Sequence, residues 1–217
     1  MLLDYTPPIA PYLKILYRDD HLVVFDKPSG LLSVRGKARN HQDSLQFRAQ
    51  LVWPEIGIVH RLDMSTSGIM LMALTRTALR ELNRQFQQRE TEKIYIARVW
   101  GRPETDSGEV NFPLIVDWPN RPKQKVCTET GKASSTRWRL LDSDGQASLL
   151  ALYPITGRSH QLRVHMAEIG HPILGDKFYA HPQALQMADR LMLHAESLSF
   201  RHPDTGENFS IQSQCPF

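Results

Sequence analysis

The apolar run IMLMAL at residues 69–74 restricts the fold more than any other segment of this chain. Such a run next to a glycine is typical of a short strand buried inside a sheet. It follows directly on the loop HRLDMSTSG at residues 60–68, which places a single carboxylate, Asp63, just ahead of the strand. Asp63 then has two interpretations. It is either a turn residue that hydrogen-bonds its own backbone or a catalytic carboxylate at the mouth of a sheet.

Short apolar segments separated by turn residues recur along the chain. Strands are predicted at residues 13–17, 22–28, 93–100, 138–141, 149–153, 191–200 and 209–211. Helices are predicted after Ser44, from Thr75 or Thr77 to about Gln88, and at residues 159–169. Residues 101–133, rich in proline, glycine and charge, are predicted to form a long loop. Because a regular βαβ array is absent, the pattern favours an α+β fold with a mixed or mainly antiparallel sheet.

The charge balance permits a nucleic-acid partner without requiring one. Lys and Arg number 26 and Asp and Glu number 23, which gives a net charge of +3 and a sequence pI of about 8.9. The two cysteines, Cys127 and Cys215, form no C-x-x-C pair, which favours reduced thiols in a cytosol over a disulfide framework. The chain starts without the apolar core of a signal peptide, and no segment approaches the roughly 18 apolar residues of a membrane span.

Motifs for metal binding and for covalent hydrolysis are missing from the sequence. His160 and His165 are separated by about 140° on a helix, so they do not share a face, and there is no H-E-x-x-H pattern. A G-x-S-x-G nucleophile motif is also missing, and Cys127 has no evident histidine partner. The expected cofactor and metal content is therefore none.

Basic residues cluster in two places that could contact RNA. On the helix beginning near Thr75, Arg76, Arg80 and Arg84 lie on one side, away from the apolar face formed by Leu79, Leu82 and Phe86. The run RPKQK at residues 121–125 adds Arg121, Lys123 and Lys125, with Trp118 and Trp138 nearby. Both clusters have two interpretations, a solvated face or a surface that binds phosphates and bases.

A third basic segment, GRSHQLR at residues 157–163, opens a helix that also carries apolar residues. A cation such as Arg163 near a core face needs a partner, because an unpaired buried charge is very costly. Asp63 is one possible partner, with a catalytic purpose. A purely structural pairing with another carboxylate is the alternative.

Several of these segments together resemble one family, the RluA-type pseudouridine synthases. HRLDMSTSG is similar to the family signature H-R-L-D-x-x-T-S-G, residues 93–95 (KIY) to its K-x-Y element, and GRSHQLR to its G-R-[ST]-H-Q-[IL]-R element. Residues 170–176 (GHPILGD) and 193–195 (LHA) resemble later blocks, in the family's order. Residues 117–127 (DWPNRPKQKVC) are similar to the branch that modifies both 23S ribosomal RNA and the tRNA anticodon stem-loop. One departure is Arg35-Gly36, where that branch usually has Pro-Gly.

The resemblance implies a fold, a reaction and partners. The fold would be a mixed, largely antiparallel sheet with flanking helices and a central basic cleft, in one catalytic domain over residues 1–217 without the S4-type RNA-binding domain of many relatives. The reaction would isomerise specific uridines to pseudouridine in structured RNA, without a cofactor or a metal. The expected partners are rRNA and tRNA stem-loops and no membrane, and the expected protein is a cytoplasmic monomer.

The resemblance also implies roles for individual residues. Asp63 would be the catalytic carboxylate, acting by attack on the ribose, addition to the uracil or abstraction of a ribose proton. Arg163 would pair with Asp63, Tyr95 would face the detached uracil, and Leu162 would floor the base pocket. The base must leave its stack to reach Asp63, so base flipping is expected. The expected RNA-contacting residues are Arg61, Arg76, Arg80, Arg84, Arg121, Lys123, Lys125, Arg158 and His160.

Two other function classes compete with this interpretation. An RNA-binding module or ribosome assembly factor of the same fold would lack turnover, and the presence of Asp63, Tyr95 and Arg163 argues against it. A glycosidase would need two carboxylates at a set separation. The motifs supply only Asp63 securely, with Asp176 a distant second.

Overall fold

Antiparallel strand pairs make up most of the regular structure of the computed structural model, which describes residues 5–217. Twelve strands run β1 (Ile15–Arg18), β2 (Leu22–Lys27), β3 (Gly57–Ile58), β4 (Ser67–Ala73), β5 (Glu92–Trp100), β6 (Ser107–Val110), β7 (Leu114–Val116), β8 (Gln124–Val126), β9 (Thr136–Ser143), β10 (Ala147–Pro154), β11 (Leu193–Arg201) and β12 (Asn208–Gln212). Four α-helices run α1 (Leu45–Gln50), α2 (Arg76–Gln88), α3 (Gln161–Glu168) and α4 (Pro182–Gln186). The chain forms two units, unit 1 up to Lys93 with Ala195–Pro216, and unit 2 over Ile94–His194 with Phe217.

In unit 1, strand β4 is buried on both faces, which explains its continuous apolar sequence. It pairs antiparallel with β2, and β2 pairs with β1. Alternate residues of β4 enter two different clusters, Ile69 and Leu71 in one, Met70 and Met72 in the other. Helix α2 covers the first cluster and helix α1 covers the second. A strand enclosed in this way holds the loop before it on a rigid base.

The helices of unit 1 begin where the sequence predicted. Ser44 caps α1 by accepting a hydrogen bond from the backbone N–H of Phe47, and Thr75 caps α2 by accepting one from Ala78. Leu82 of α2 is fully buried, as its apolar periodicity predicted.

In unit 2, β5, β10, β9 and β6 pair antiparallel in that order, and β7 and β8 form a separate two-stranded sheet. Helix α3 contributes Leu162 and Met166 to a core that includes Trp138. Trp138 is only 7% exposed, so its predicted place beside the basic residues of an RNA surface is wrong.

The α+β class and the predominance of antiparallel pairing are confirmed, while one segment was predicted wrongly. Residues 101–133 contain β6, β7 and β8 rather than only a loop. Helix α4 was not predicted. No helix within residues 5–217 combines the length and apolar character that a membrane span requires.

Candidate active site

The backbone on each side of Asp63 is fixed by buried hydrogen bonds. Ser33 Oγ donates to the carbonyl of Leu62 at 2.6 Å and accepts from the N–H of Leu62 at 3.0 Å, so one hydroxyl satisfies both groups of the residue before Asp63. The N–H of Thr66 donates to the carbonyl of Asp63 at 3.1 Å, which closes a turn. The Asp63 side chain is half-buried. The loop therefore presents a carboxylate from a rigid frame, as the catalytic interpretation requires.

Lys27 stabilises the same loop through hydrogen bonds, a role that the sequence did not indicate. Its side chain is fully buried, and its Nζ donates to the carbonyls of Pro28, Leu31 and Met64 at 3.0, 2.7 and 3.1 Å. Three such bonds use all three hydrogens of an ammonium group. Burial lowers the pKa of Lys27 to about 7, while the negative charges of Asp63 and Asp26 act in the opposite direction. Lys27 thus ties the residue after Asp63 to the loop that follows β2.

Gly68 lets the loop enter β4 against a neighbouring strand. Its φ of +110° lies in the region that favours glycine. A Cβ atom at this position would stand 2.3 Å from the carbonyl oxygen of Ala195. The glycine that ends HRLDMSTSG is therefore required by its backbone conformation and by its close approach to Ala195.

His60, at the start of the loop, has a structural environment. Its Nε2 accepts a hydrogen bond from the N–H of Leu71 at 3.0 Å, and its ring stacks on Phe86 with centroids 4.8 Å apart. Burial, together with the positive charge of Lys93, lowers the pKa of His60 to about 3. A neutral ring whose Nε2 is already engaged is not placed to exchange protons near pH 7.

Tyr95 and Leu162 belong to the same region of unit 2. Tyr95 lies in β5 opposite Leu152 of β10 and packs, half-buried, on the core cluster that contains Leu162. Leu162 is only 7% exposed and therefore offers little surface of its own. An apolar floor beside a phenol ring suits a flat base, and the roles of both residues stay predictions.

Arg163 makes a buried, bidentate ion pair with Asp176. Its Nε donates to Oδ2 at 2.8 Å and one terminal nitrogen donates to Oδ1 at 2.6 Å, with the two side chains 4% and 0% exposed. The guanidinium also lies over the rings of Phe178 and Tyr179, 5.0 and 5.2 Å from their centroids. Asp176 is thus a structural partner that the sequence did not assign, whereas pairing with Asp63 stays a prediction.

The turn before α3 is held by a buried amide that sequence reasoning also missed. The side chain of Gln161 forms four hydrogen bonds of 2.7 to 3.0 Å, with Thr156, Arg158, Ser135 and Thr136. The Thr136 hydroxyl lies 2.9 Å from His165 Nδ1, and His165 Nε2 lies 3.0 Å from the carbonyl of Phe112. Since a carbonyl can only accept, Nε2 carries the proton and Nδ1 accepts from Thr136. Burial lowers the pKa of His165, which keeps the ring neutral.

His160 links α3 to the strand β8. It precedes α3 in a left-handed conformation (φ 54°), and its Nδ1 lies 2.7 Å from the hydroxyl of Tyr179. That hydroxyl accepts from the N–H of Gln124 at 2.8 Å, so its own hydrogen is available for His160. This connection makes His160 part of the framework around Arg163 as well as a predicted RNA contact.

The predicted RNA-contacting residues differ in how accessible their charges are. Exposed side chains belong to Arg61, Arg76, Arg80, Arg121, Lys125 and Arg158, and half-buried ones to Arg84, Lys123 and His160. Arg84 is engaged by Glu81 at 2.7 Å and by Glu90 at 2.8 Å. Its charge is therefore largely compensated, which weakens its case relative to Arg76 and Arg80. No group of three potential metal ligands occurs within residues 5–217.

Comparison with known proteins decides which family this site represents. A family model described as RNA pseudouridylate synthase matches residues 21–168. The chain belongs to this family. It is 55% identical over 216 residues to the dual-specificity RNA pseudouridine synthase RluA of Escherichia coli (strain K12), covering 99% of this chain and 98% of that protein. Identity to the protein of the same name from Vibrio vulnificus (strain CMCP6) is 50% over 221 residues, covering 100% and 88% of the two chains.

Solved structures agree with the family assignment. Human RNA pseudouridylate synthase domain containing 1 superposes with a TM-score of 0.80 at 28% identity, covering 98% of this chain and 87% of that one. Human RNA pseudouridylate synthase domain containing 4 gives 0.77 at 25% identity, covering 96% and 91%. The chain is accordingly an isomerase that converts uridine to pseudouridine in RNA, which confirms the predicted enzyme class over a silent binding module.

Proposed function

We propose that this pseudouridine synthase modifies two kinds of structured RNA, a site in 23S ribosomal RNA and the anticodon stem-loop of tRNA. The proposal is supported by 55% identity over 99% of the chain to a protein named a dual-specificity RNA pseudouridine synthase. Within this chain, the segment DWPNRPKQKVC is the part that resembles the same branch of the family.

Asp63 is proposed as the catalytic carboxylate. This role is supported by a rigid backbone around a residue that is not fully buried. The backbone around it is fixed by Ser33 and Lys27, and the residue as a whole is half-buried, so that part of its surface stays accessible. A rigid mount and an accessible anion are what a group acting on a flipped uridine needs.

Arg163 and Tyr95 are proposed to complete the chemistry. Asp176 engages two nitrogen atoms of the Arg163 guanidinium. A guanidinium has five N–H donors in a fixed fork, so this engagement is compatible with an additional bond to Asp63 that would favour its ionised form. The Tyr95 ring would stack on the uracil above Leu162, and its phenol would lie near the carbon that finally loses a proton.

The RNA is proposed to follow a central basic cleft, with Arg61 filling the space left by the flipped base. We further propose that the protein is a cytoplasmic monomer that turns over without a metal. The sequence holds only two cysteines and no C-x-x-C pair, a usage that favours a reducing compartment.

Asp63→Asn tests the proposed chemistry, because it keeps the size of the side chain and removes its charge. Pseudouridine formation on an anticodon stem-loop and on a 23S fragment should disappear, while RNA affinity stays within about tenfold. The product has the mass of uridine, so the readout is carbodiimide mapping or nucleoside chromatography. A folded Asp63→Asn protein with wild-type turnover would remove Asp63 from the mechanism. Mapping total RNA from cells with and without the gene tests the two substrates, and unchanged 23S or tRNA would remove that substrate.

A further inference from the structure

The hairpin formed by β7 and β8 has a tip whose backbone is held in one conformation. The strands pair from Leu114 opposite Val126 to Val116 opposite Gln124. Across the tip, the N–H of Asp117 donates to Lys123 at 2.9 Å, that of Asn120 to Asp117 at 3.0 Å, and that of Lys123 to Asn120 at 3.0 Å. The Asn120 side chain adds a bond of 2.8 Å to the Asp117 carboxylate. Side chains on this tip are therefore presented in a fixed arrangement.

Trp118 on this tip is unusually exposed for such a large apolar side chain. It is 63% exposed, whereas Trp138 is buried and Trp53 and Trp100 are half-buried. Tryptophan is enriched at interfaces, where one end of the ring is apolar and the other is wet, so an exposed tryptophan on a fixed turn is a candidate binding contact. The Arg121 guanidinium lies over one face of the Trp118 ring, 4.3 Å from its centroid. With 63% of the residue exposed, the ring retains surface that a second flat group can contact.

The charge around Trp118 favours an anionic partner. Residues 117–132 contain four basic side chains, Arg121, Lys123, Lys125 and Lys132, against the acidic Asp117 and Glu129. The Asp117 carboxylate is already bound by Asn120. Within residues 5–217, Arg121 takes part in no ion pair. An aromatic ring amid uncompensated cations suits an RNA strand, which offers bases for stacking and phosphates for ion pairing.

The hairpin is joined to the helix that carries Arg163. The Tyr179 hydroxyl accepts from Gln124 of β8 and lies 2.7 Å from His160, directly before α3. The Tyr179 ring also stacks on the Arg163 guanidinium. Trp118 and Arg163 therefore belong to one connected set of contacts within unit 2, which gives the tip a defined relation to that residue.

We propose that Trp118 and Arg121 form a stacking platform for an unpaired nucleobase of the RNA substrate, outside the base that reacts. The inference rests on the proposed function and adds a specific contact to it. Trp118 stacks on a loop base through its open face, Arg121 holds the opposite face and binds a phosphate, and the flanking lysines attract the strand. Such a platform distinguishes a loop with unpaired bases from a closed duplex, because paired bases keep their faces covered.

Intrinsic fluorescence and binding, measured on the full chain, test this platform. A synthetic anticodon stem-loop and a blunt RNA duplex of matched length and charge are titrated against wild type, Trp118→Phe and Trp118→Ala. The stem-loop should quench wild-type tryptophan emission, and Trp118→Phe should lose that quenching. Trp118→Ala should raise the Kd for the stem-loop by about 5- to 140-fold, the range of one base–aromatic stack. Duplex affinity should stay within about twofold. The matched control is Leu141→Ala, since Leu141 is exposed in the same unit at 43% but lies outside the basic hairpin.

The possible results separate this inference from the proposed function. If wild type forms pseudouridine but the stem-loop causes no quenching, or Trp118→Phe retains it, the platform is refuted while the enzyme stands. Equal losses of stem-loop and duplex affinity in Trp118→Ala would likewise refute base stacking. If Trp118→Ala fails to fold, the fluorescence comparison with Trp118→Phe decides. Quenching by a stem-loop that is never converted would support the platform and overturn the proposed substrate.

Discussion

Replacing Asp176 by Asn should destabilise the protein more than any exposed charge change, because Asp176 organises four donors. Its Oδ1 accepts from Arg163 and from the N–H groups of Phe178 and Tyr179 at 2.9 and 3.3 Å, and its Oδ2 accepts from Arg163 Nε. An asparagine has one oxygen, so its NH2 group must face at least one donor of Arg163 or of the backbone. The change therefore removes the negative charge beside the buried Arg163 guanidinium and sets at least one donor against another donor.

The magnitude follows from the burial of the pair. Breaking a buried ion pair by removing one partner costs about 3–5 kcal/mol, and the exposures of 4% and 0% place this pair in that class. Asp106→Asn is the control, because the Asp106 side chain is 81% exposed and 3.6 Å from Arg102, where a pair contributes about 0–1 kcal/mol. Equilibrium urea unfolding followed by circular dichroism gives both values. A loss below about 1 kcal/mol for Asp176→Asn would refute the structural role given to the pair.

A double replacement then separates stability from chemistry. Exchanging both members of a buried pair for apolar residues is often neutral for the charges themselves, so Arg163→Met with Asp176→Leu should recover the part of the Asp176→Asn loss that comes from the Arg163 charge. The N–H groups of Phe178 and Tyr179 still lose their acceptor, so the recovery should be partial. Pseudouridine formation should be absent in the double variant if Arg163 acts on the reaction. A stable double variant with wild-type turnover would leave Arg163 with a structural role only.

Two further predictions concern the frame around Asp63. Gly68→Ala should lower the free energy of unfolding by at least about 2 kcal/mol, because it adds both backbone strain and a clash with Ala195. Gly206→Ala is the control for strain alone, since Gly206 has a φ of +73° and nothing within 4 Å of the added Cβ. If chemical unfolding gives equal losses for the two variants, the clash with Ala195 is contradicted. Folded His60, with a pKa of about 3, takes up a proton less readily than the unfolded chain, so stability should fall as pH drops from about 6.5 towards 3. In His60→Gln, which retains an acceptor for the N–H of Leu71, the slope of the unfolding free energy against pH should be smaller by about 1.4 kcal/mol per pH unit. An unchanged slope between pH 6 and 4 would argue against a neutral His60 in the folded protein.

Elements with strong periodicity could be predicted from the sequence, and elements defined by their partners could not. Helix α2 has both a capping Thr75 and an apolar face, so its start and its buried side were predicted correctly. Strands β7 and β8 are three residues long and exist because they pair with each other. A segment rich in proline and charge carries no local signal of such pairing, which is why residues 101–133 were predicted as a loop.

The residues of the candidate site also include some that could be predicted from local sequence and some that could not. Asp63 could be singled out because a lone carboxylate before a buried strand is a local pattern. Lys27 could not, because a lysine at the end of a strand normally extends into solvent. Its burial depends on the carbonyls of Pro28, Leu31 and Met64 converging on one point. The partner Asp176 was missed for a related reason, since it lies beyond the end of α3 at Glu168, in a segment without helical or strand periodicity.

Lys27 and Arg163 raise the question of why the site buries basic side chains whose removal from water is costly. Removing a charge from water costs more than its pairing usually returns, and at Lys27 this cost is seen as a pKa lowered to about 7. An apolar residue at either position would fill the space with less penalty. An apolar residue could not bind three carbonyls around the Asp63 loop, as Lys27 does. Nor could it present a planar fork of donors, as Arg163 does. The desolvation cost at these positions is therefore best explained by geometry that the reaction needs, which is where local rules are expected to fail.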